Sequence, residues 1–186
     1  MSRLKRTNEA QTFYEKAVGL AKDAPTLILI AESMQAEQLW NESETLLRKA
    51  LDMQANNPRA LVLLGKMLVA QKRYSEAEPF LKRAIGIIPQ SFRPYYLLGS
   101  AYVRMERYEE AEQILMKASG FASAEEMKEL TGAYALGGVG DGYMKAKRPG
   151  DALRVYQNTL SLDKNNTELQ NKINEARKQI SLLSSK

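Results

Sequence analysis

Five residue pairs recur at a single interval along this chain: Gly65 and Gly99, Tyr74 and Tyr108, Ala77 and Ala111, Leu81 and Leu115, and Ala84 and Ala118 each stand 34 positions apart. A period of this size constrains the fold more than any other feature, because a unit of that length cannot bury its apolar face alone and has to stack on its neighbours. The frame runs back to a unit in which Ala31, Trp40, Ser43, Leu47 and Ala50 take the corresponding places. It runs forward, with Gly140, Ala152 and Tyr156, after an insertion of seven residues (140 − 99 = 41, and 41 − 34 = 7). Units at about 24–57, 58–91, 92–125 and 133–166 result, with residues 126–132 as the insertion, all within a single domain spanning 1–186.

Each unit offers two short amphipathic helices, with apolar residues spaced three and four apart and small ones where the helices cross. Gly65, Gly99, Ala77, Ala84, Ala111 and Ala118 permit close approach of the two backbones. Asn57 followed by Pro58 reads as a cap and a first-turn proline. Asn41 with Glu44 and Ser75 with Glu78 read as capping boxes, Ser123 with Glu126 should start a helix near Ala124, and Thr167 with Gln170 opens a further helix. Pro79 falls just inside the second helix of unit two, where it removes one early backbone bond. Residues 7–22, with Phe13, Tyr14, Ala17 and Leu20, look like the second helix of a half-repeat. Residues 167–183 place Leu169, Ile173, Ala176, Ile180 and Leu183 on one side, as a terminal capping helix does.

The order Tyr95-x-x-Leu98-Gly99-x-x-Tyr102, then Ala111-x-x-x-Leu115 and Ala118, resembles the tetratricopeptide repeat. Unit two repeats it as Leu61-x-x-Leu64-Gly65-x-x-Leu68, Ala77-x-x-x-Leu81, Ala84 and Pro89. Unit four keeps Leu136, Val139, Gly140, Tyr143, Ala152 and Tyr156 but departs at Pro149 and Thr159, and unit one has Ala31 for the glycine and Ser43 for the alanine. The resemblance covers residues 24–166. It implies an all-α, right-handed α-solenoid of antiparallel helix pairs with capping helices at both ends.

Composition narrows the chemistry. The chain has no cysteine and no histidine, which removes disulfides, thiolate metal sites and the commonest general base. No metal, cofactor or catalytic residue is expected. The formal charge of +5 mildly favours an acidic ligand. No leader and no apolar run long enough to span a bilayer are visible, so a cytoplasmic protein without membrane insertion is the expectation. The sequence leaves oligomeric state open.

In the family that the chain resembles, the first helices line the concave face, with the second, fifth, ninth and twelfth residues of each unit pointing to the ligand. Carried onto this sequence, those places include Ile28 in unit one and Arg59, Val62, Lys66 and Val69 in unit two. Unit three supplies Arg93, Tyr96, Ser100 and Val103 with Arg104 one place on, and unit four supplies Tyr134 and Met144. An apolar and aromatic floor edged by cations suits a peptide with acidic residues or a free carboxylate, although the same charges suit a merely solvated helix face. Some family members clamp two terminal carboxylates, using asparagines at places that hold Glu32 and Leu63 in this chain, which argues against that clamp. Related repeats that read RNA use polar residues at the fifth place, where this chain has Ile28, Val62, Tyr96 and Gly137, so no nucleic acid is expected.

The glycines from Gly137 to Gly142 do not make a phosphate loop, since no strand precedes them and the spacing is wrong. They are expected to soften unit four and to act as a hinge or as a smooth patch where a ligand backbone comes close. Glu109, Glu110 and Glu112 read as first-turn carboxylates. The resulting expectation is a non-catalytic interaction scaffold or adaptor, binding a segment of another protein in its groove. The alternatives are a chaperone for secreted or assembling proteins and an interaction module cut from a larger, possibly enzymatic, protein.

Overall fold

A computed structural model describes residue 14 and residues 16–185. Among the described residues, ten helices follow in order from Ala24 onward: α1 Ala24–Ala36, α2 Trp40–Met53, α3 Pro58–Ala70, α4 Tyr74–Ile87, α5 Phe92–Arg104, α6 Tyr108–Ser119, α7 Ala124–Thr131, α8 Leu136–Lys145, α9 Pro149–Leu162 and α10 Thr167–Ser184. In the repeat frame, α1–α2, α3–α4, α5–α6 and α8–α9 are antiparallel pairs, α7 runs from the end of unit three through most of the insertion, and α10 packs on α9. Residues 16–20 are also helical; the rest of the half-repeat expected over 7–22 falls largely outside the described residues.

Each first helix touches the first helix of the next unit, α1 with α3, α3 with α5 and α5 with α8, whereas successive second helices meet far less. The array therefore curves with its first helices inside. The fold is the right-handed α-solenoid that the repeat implied.

Packing explains the repeated small residues. A Cβ added at Gly65 would stand 2.5 Å from Leu81 Cδ2, and one at Gly99 2.4 Å from Leu115 Cγ. Ala77, Ala84, Ala111 and Ala118 are fully buried at the same crossings. In unit one Ser43 replaces the alanine without leaving its hydroxyl unpaired, for Oγ donates to the Ala31 carbonyl at 2.9 Å.

The turn inside each unit repeats as well. Gln38, Lys72, Glu106 and Lys147 have φ of 58° to 62°, the left-handed conformation that usually calls for glycine. The next residue's N–H reaches back to close the turn, Leu39 to the Met34 carbonyl at 2.9 Å, Arg73 to Leu68 at 2.8 Å, Arg107 to Tyr102 at 2.9 Å and Arg148 to Tyr143 at 2.9 Å. These bonds satisfy carbonyls that the helix end would otherwise orphan.

Helix starts differ in part from the sequence reading. Asn57 caps α3, its Oδ1 accepting from the Ala60 N–H at 3.1 Å, and Ser123 and Glu126 form a reciprocal capping box on α7. The capping boxes expected from Asn41 with Glu44 and from Ser75 with Glu78 do not form. α2 and α4 begin earlier, after Leu39 and Arg73, with no side-chain cap. Glu44 and Glu78 instead bond to Arg73 and Arg107 of the following unit, at 2.5 Å and 2.6 Å. The cap of α10 is Asn166, one residue before the expected Thr167.

Candidate functional site

Between units one and two the ninth place of α1 meets the second place of α3, where Glu32 pairs with Arg59. The twelfth lies beside the sixth, so Gln35 Nε2 donates to the Leu63 carbonyl at 3.3 Å, and Val103 Cγ1 comes within 3.1 Å of where a Cβ on Gly138 would be.

Of the residues expected to face a ligand, Val62, Val69, Tyr96, Val103, Met144 and Arg93 are half-buried on first helices, and Arg59, Lys66 and Arg104 are exposed there. Tyr134, just before α8, is 60% exposed. Ile28 and Ser100 are buried, at 2% and 8% exposure.

The cations are not equivalent. The Arg59 charge is met by Glu32, and the Arg93 guanidinium by Glu129 of α7 at 2.9 Å. Arg93 also lies over the rings of Phe92 and Tyr96, 5.6 Å and 5.8 Å from their centroids, and those two rings stack at 5.3 Å. Arg104 lies over the Tyr134 ring at 4.4 Å. Lys66 makes no ion pair among the described residues. Burial, and then the Glu129 charge, push the Tyr96 phenol above its ordinary value. Sequence reading did not place Glu129 at this wall, because the insertion has no counterpart in the other units from which a register could be read.

Residues of unit four that could have served a ligand are engaged within the chain. Asp141 Oδ1 accepts from the Tyr156 hydroxyl at 2.6 Å, and Oδ2 from Lys172 Nζ at 3.0 Å, tying α8 to α9 and α10. Desolvation and the bond to Asp141 raise the Tyr156 phenol. Gly137, Gly138, Gly140 and Gly142 are buried, not a smooth patch. A Cβ at Gly140 would meet the Tyr156 ring at 2.2 Å, one at Gly142 the Tyr108 ring at 2.1 Å and one at Gly138 the Ala133 carbonyl at 2.1 Å. Those glycines are explained by close internal packing, where a Cβ would collide with the Tyr108 and Tyr156 rings and with the Ala133 carbonyl. Among the described residues no group of three acidic, histidine or cysteine side chains could hold a metal ion, and no helix is long and apolar enough to cross a membrane.

Comparison with known proteins agrees with the architecture. The family model described as anaphase-promoting complex, cyclosome, subunit 3, matches residues 36–118, and the model described as tetratricopeptide repeat matches residues 2–23. No curated protein matches the sequence significantly. Among solved structures, MamA from Desulfovibrio magneticus RS-1, from residue 41 to its end, superposes with a TM-score of 0.66 at 22% identity, covering 88% of this chain and 90% of that one. Another MamA structure gives 0.67 at 20% identity, covering 96% and 86%. YrrB, described as a TPR protein with an unusual peptide-binding site, gives 0.67 at 18% identity, covering 91% and 86%. At such identities these likenesses speak for the fold. In its repeat signature, in the family models that it matches and in its fold, the chain is similar to tetratricopeptide-repeat proteins.

Proposed function

We propose that this chain is a non-catalytic scaffold that holds an extended segment of a partner protein along its concave wall. The observation that carries this reading is the row of half-exposed apolar side chains, Val62, Val69, Tyr96, Val103 and Met144, on the inner helices of three consecutive units. Such a row, edged by Arg59, Lys66, Arg93 and Arg104, offers pockets for alternate side chains of an extended peptide and polar groups to orient it. The peptide-binding site named for YrrB supports the reading by analogy of fold.

The test is selection of random displayed peptides on the intact protein. Peptides bound in the groove are expected to lose about tenfold or more in affinity to the Tyr96→Ala variant. Gln113→Ala, on the exposed side of α6, is expected to change nothing. Selected peptides that ignore Tyr96→Ala and Val62→Glu would place the binding surface elsewhere.

A further inference from the structure

The second helix of a unit lies over one face of its first helix. In unit two Leu81 of α4 stands over Gly65, in unit three Leu115 of α6 over Gly99, and in unit four Tyr156 of α9 over Gly140. One interval past Gly140 (140 + 34 = 174) comes Asn174 of α10, and the places of Leu136, Val139 and Tyr143 pass to Gln170, Ile173 and Arg177. The face of α10 that carries these residues lines, with Leu160 of α9 and Lys164 just after it, an open cleft of about 620 Å3.

The cleft has the position of a helix seat, since the equivalent face in units two, three and four is covered by a helix. Its floor is apolar, formed by Ile173, 6% exposed, and by half-buried Leu160. Its edges are cationic. Lys164 and Arg177 are exposed and make no ion pair among the described residues, and no acidic side chain lines the cleft. Asn174 in the glycine's place keeps an incoming helix further off than α6 stands from α5. Gln170 and Arg177, where unit three has Tyr95 and Tyr102, make the contact more polar than the crossings inside the units. A contact of that kind suits a partner that comes and goes more than a permanent part of the core.

We propose that this cleft between α9 and α10 is a second interaction surface, which docks an amphipathic helix of a partner protein. The apolar ridge of that helix lies on Ile173 and Leu160, and its acidic residues meet Lys164 and Arg177. The repeat frame supplies the shape of the occupant, and the two unpaired cations supply its charge. The chain's own formal charge of +5 favours an acidic partner over a second copy. The cleft shares no residue with the apolar row of the inner wall, so the proposal stands independently of the groove reading.

The test selects helices on the intact protein from a displayed library. A ridge of alanine and leucine, spaced as Ala111, Leu115 and Ala118 are in α6, is fixed, and the flanking positions are random. Selected helices, synthesised and followed by fluorescence anisotropy, are expected to be rich in aspartate and glutamate. They are expected to lose about tenfold or more in affinity to Asn174→Trp, which fills the cleft. Arg177→Glu is expected to cost them about three- to tenfold, less so at high salt, and exchange of their acids for amides a similar factor. Tyr96→Ala, in the groove, is expected to change nothing. Selected helices with no acidic enrichment, or bound as tightly by Asn174→Trp as by the parent, would overturn the proposal and leave the groove reading intact. A rise in mass with concentration in analytical ultracentrifugation that Asn174→Trp abolishes would also overturn it, by giving the cleft to a second copy. Asn174 and Arg177 are exposed, and an unchanged circular dichroism spectrum certifies the fold of each variant.

Discussion

Gly99→Leu is expected to destabilise the protein by about 3 kcal/mol, because the crossing of α5 and α6 has no room for a side chain. Even a Cβ there would lie 2.4 Å from Leu115 Cγ and 2.5 Å from its Cδ2. Gly86 provides the opposite sign within the same fold. It lies in α4 with nothing within 4 Å of an added Cβ, so Gly86→Ala gains helix propensity without a clash and is expected to stabilise by about 0.5–1 kcal/mol. In thermal unfolding these changes correspond to a fall of roughly 6–12 °C and a rise of roughly 1–4 °C. Combining Gly99→Ala with Leu115→Ala is expected to cost less than the two changes summed, since the smaller partner relieves the collision. Equal effects at Gly86 and Gly99 would show that the two helices do not cross at Gly99.

Acidification is expected to weaken the contact between units two and three through Glu78. Burial alone would raise this carboxyl, but hydrogen bonds from Arg107, Lys82 and Tyr102 outweigh it and lower it from 4.5 to about 2. The three bonds measure 2.6 Å, 2.6 Å and 2.8 Å. A carboxyl depressed on folding contributes stability in full above its unfolded pKa and loses it as pH falls through the folded one. The window is therefore from about pH 4.5 down to about pH 2. Without screening the depression corresponds to about 3 kcal/mol. The Glu78 side chain is 18% exposed and its charged partners Arg107 and Lys82 more so, which leaves about 1–2 kcal/mol after solvent screening. Denaturant unfolding at neutral pH is expected to show Glu78→Gln less stable by that amount, with a shallower loss of stability on acidification. A variant as stable as the parent at neutral pH would mean that the Glu78–Arg107 contact carries no weight between units.

This contact marks where sequence reading stops. The 34-residue interval made Gly65, Leu81, Gly99 and Leu115 legible, because a packing requirement repeats wherever the same crossing repeats. Arg73 and Arg107 repeat as faithfully, but their partners Glu44 and Glu78 stand 29 residues away. A local reading assigns such carboxylates to the caps of their own helices, where the residue spacing also fits. What decides between the two is the left-handed turn at Lys72 and Glu106, which places the following arginine toward the preceding unit. That conformation has no glycine to announce it. Similarly, Glu109 and Glu110 do lie in the first turn of α6 as their spacing implied, yet they are also paired, with Arg148 and Arg107 respectively. Glu112 pairs with Arg154.

The groove was legible to the extent that the repeat assigned residues to first helices. Val62, Tyr96 and Val103 stand on the inner helices for that reason. Ile28 and Ser100 share their register but are buried, which position in the repeat alone does not decide. The glycines of α8 misled for a related reason, since their need lies in the Tyr108 and Tyr156 rings brought from other helices.

Assignment of the inner wall as the partner surface is open to one direct measurement. Amide chemical shifts of the isotopically labelled protein, titrated with a display-selected peptide, are expected to move along α1, α3, α5 and α8 and to stay fixed along α2, α4, α6 and α9. Shifts confined to the second helices would contradict it.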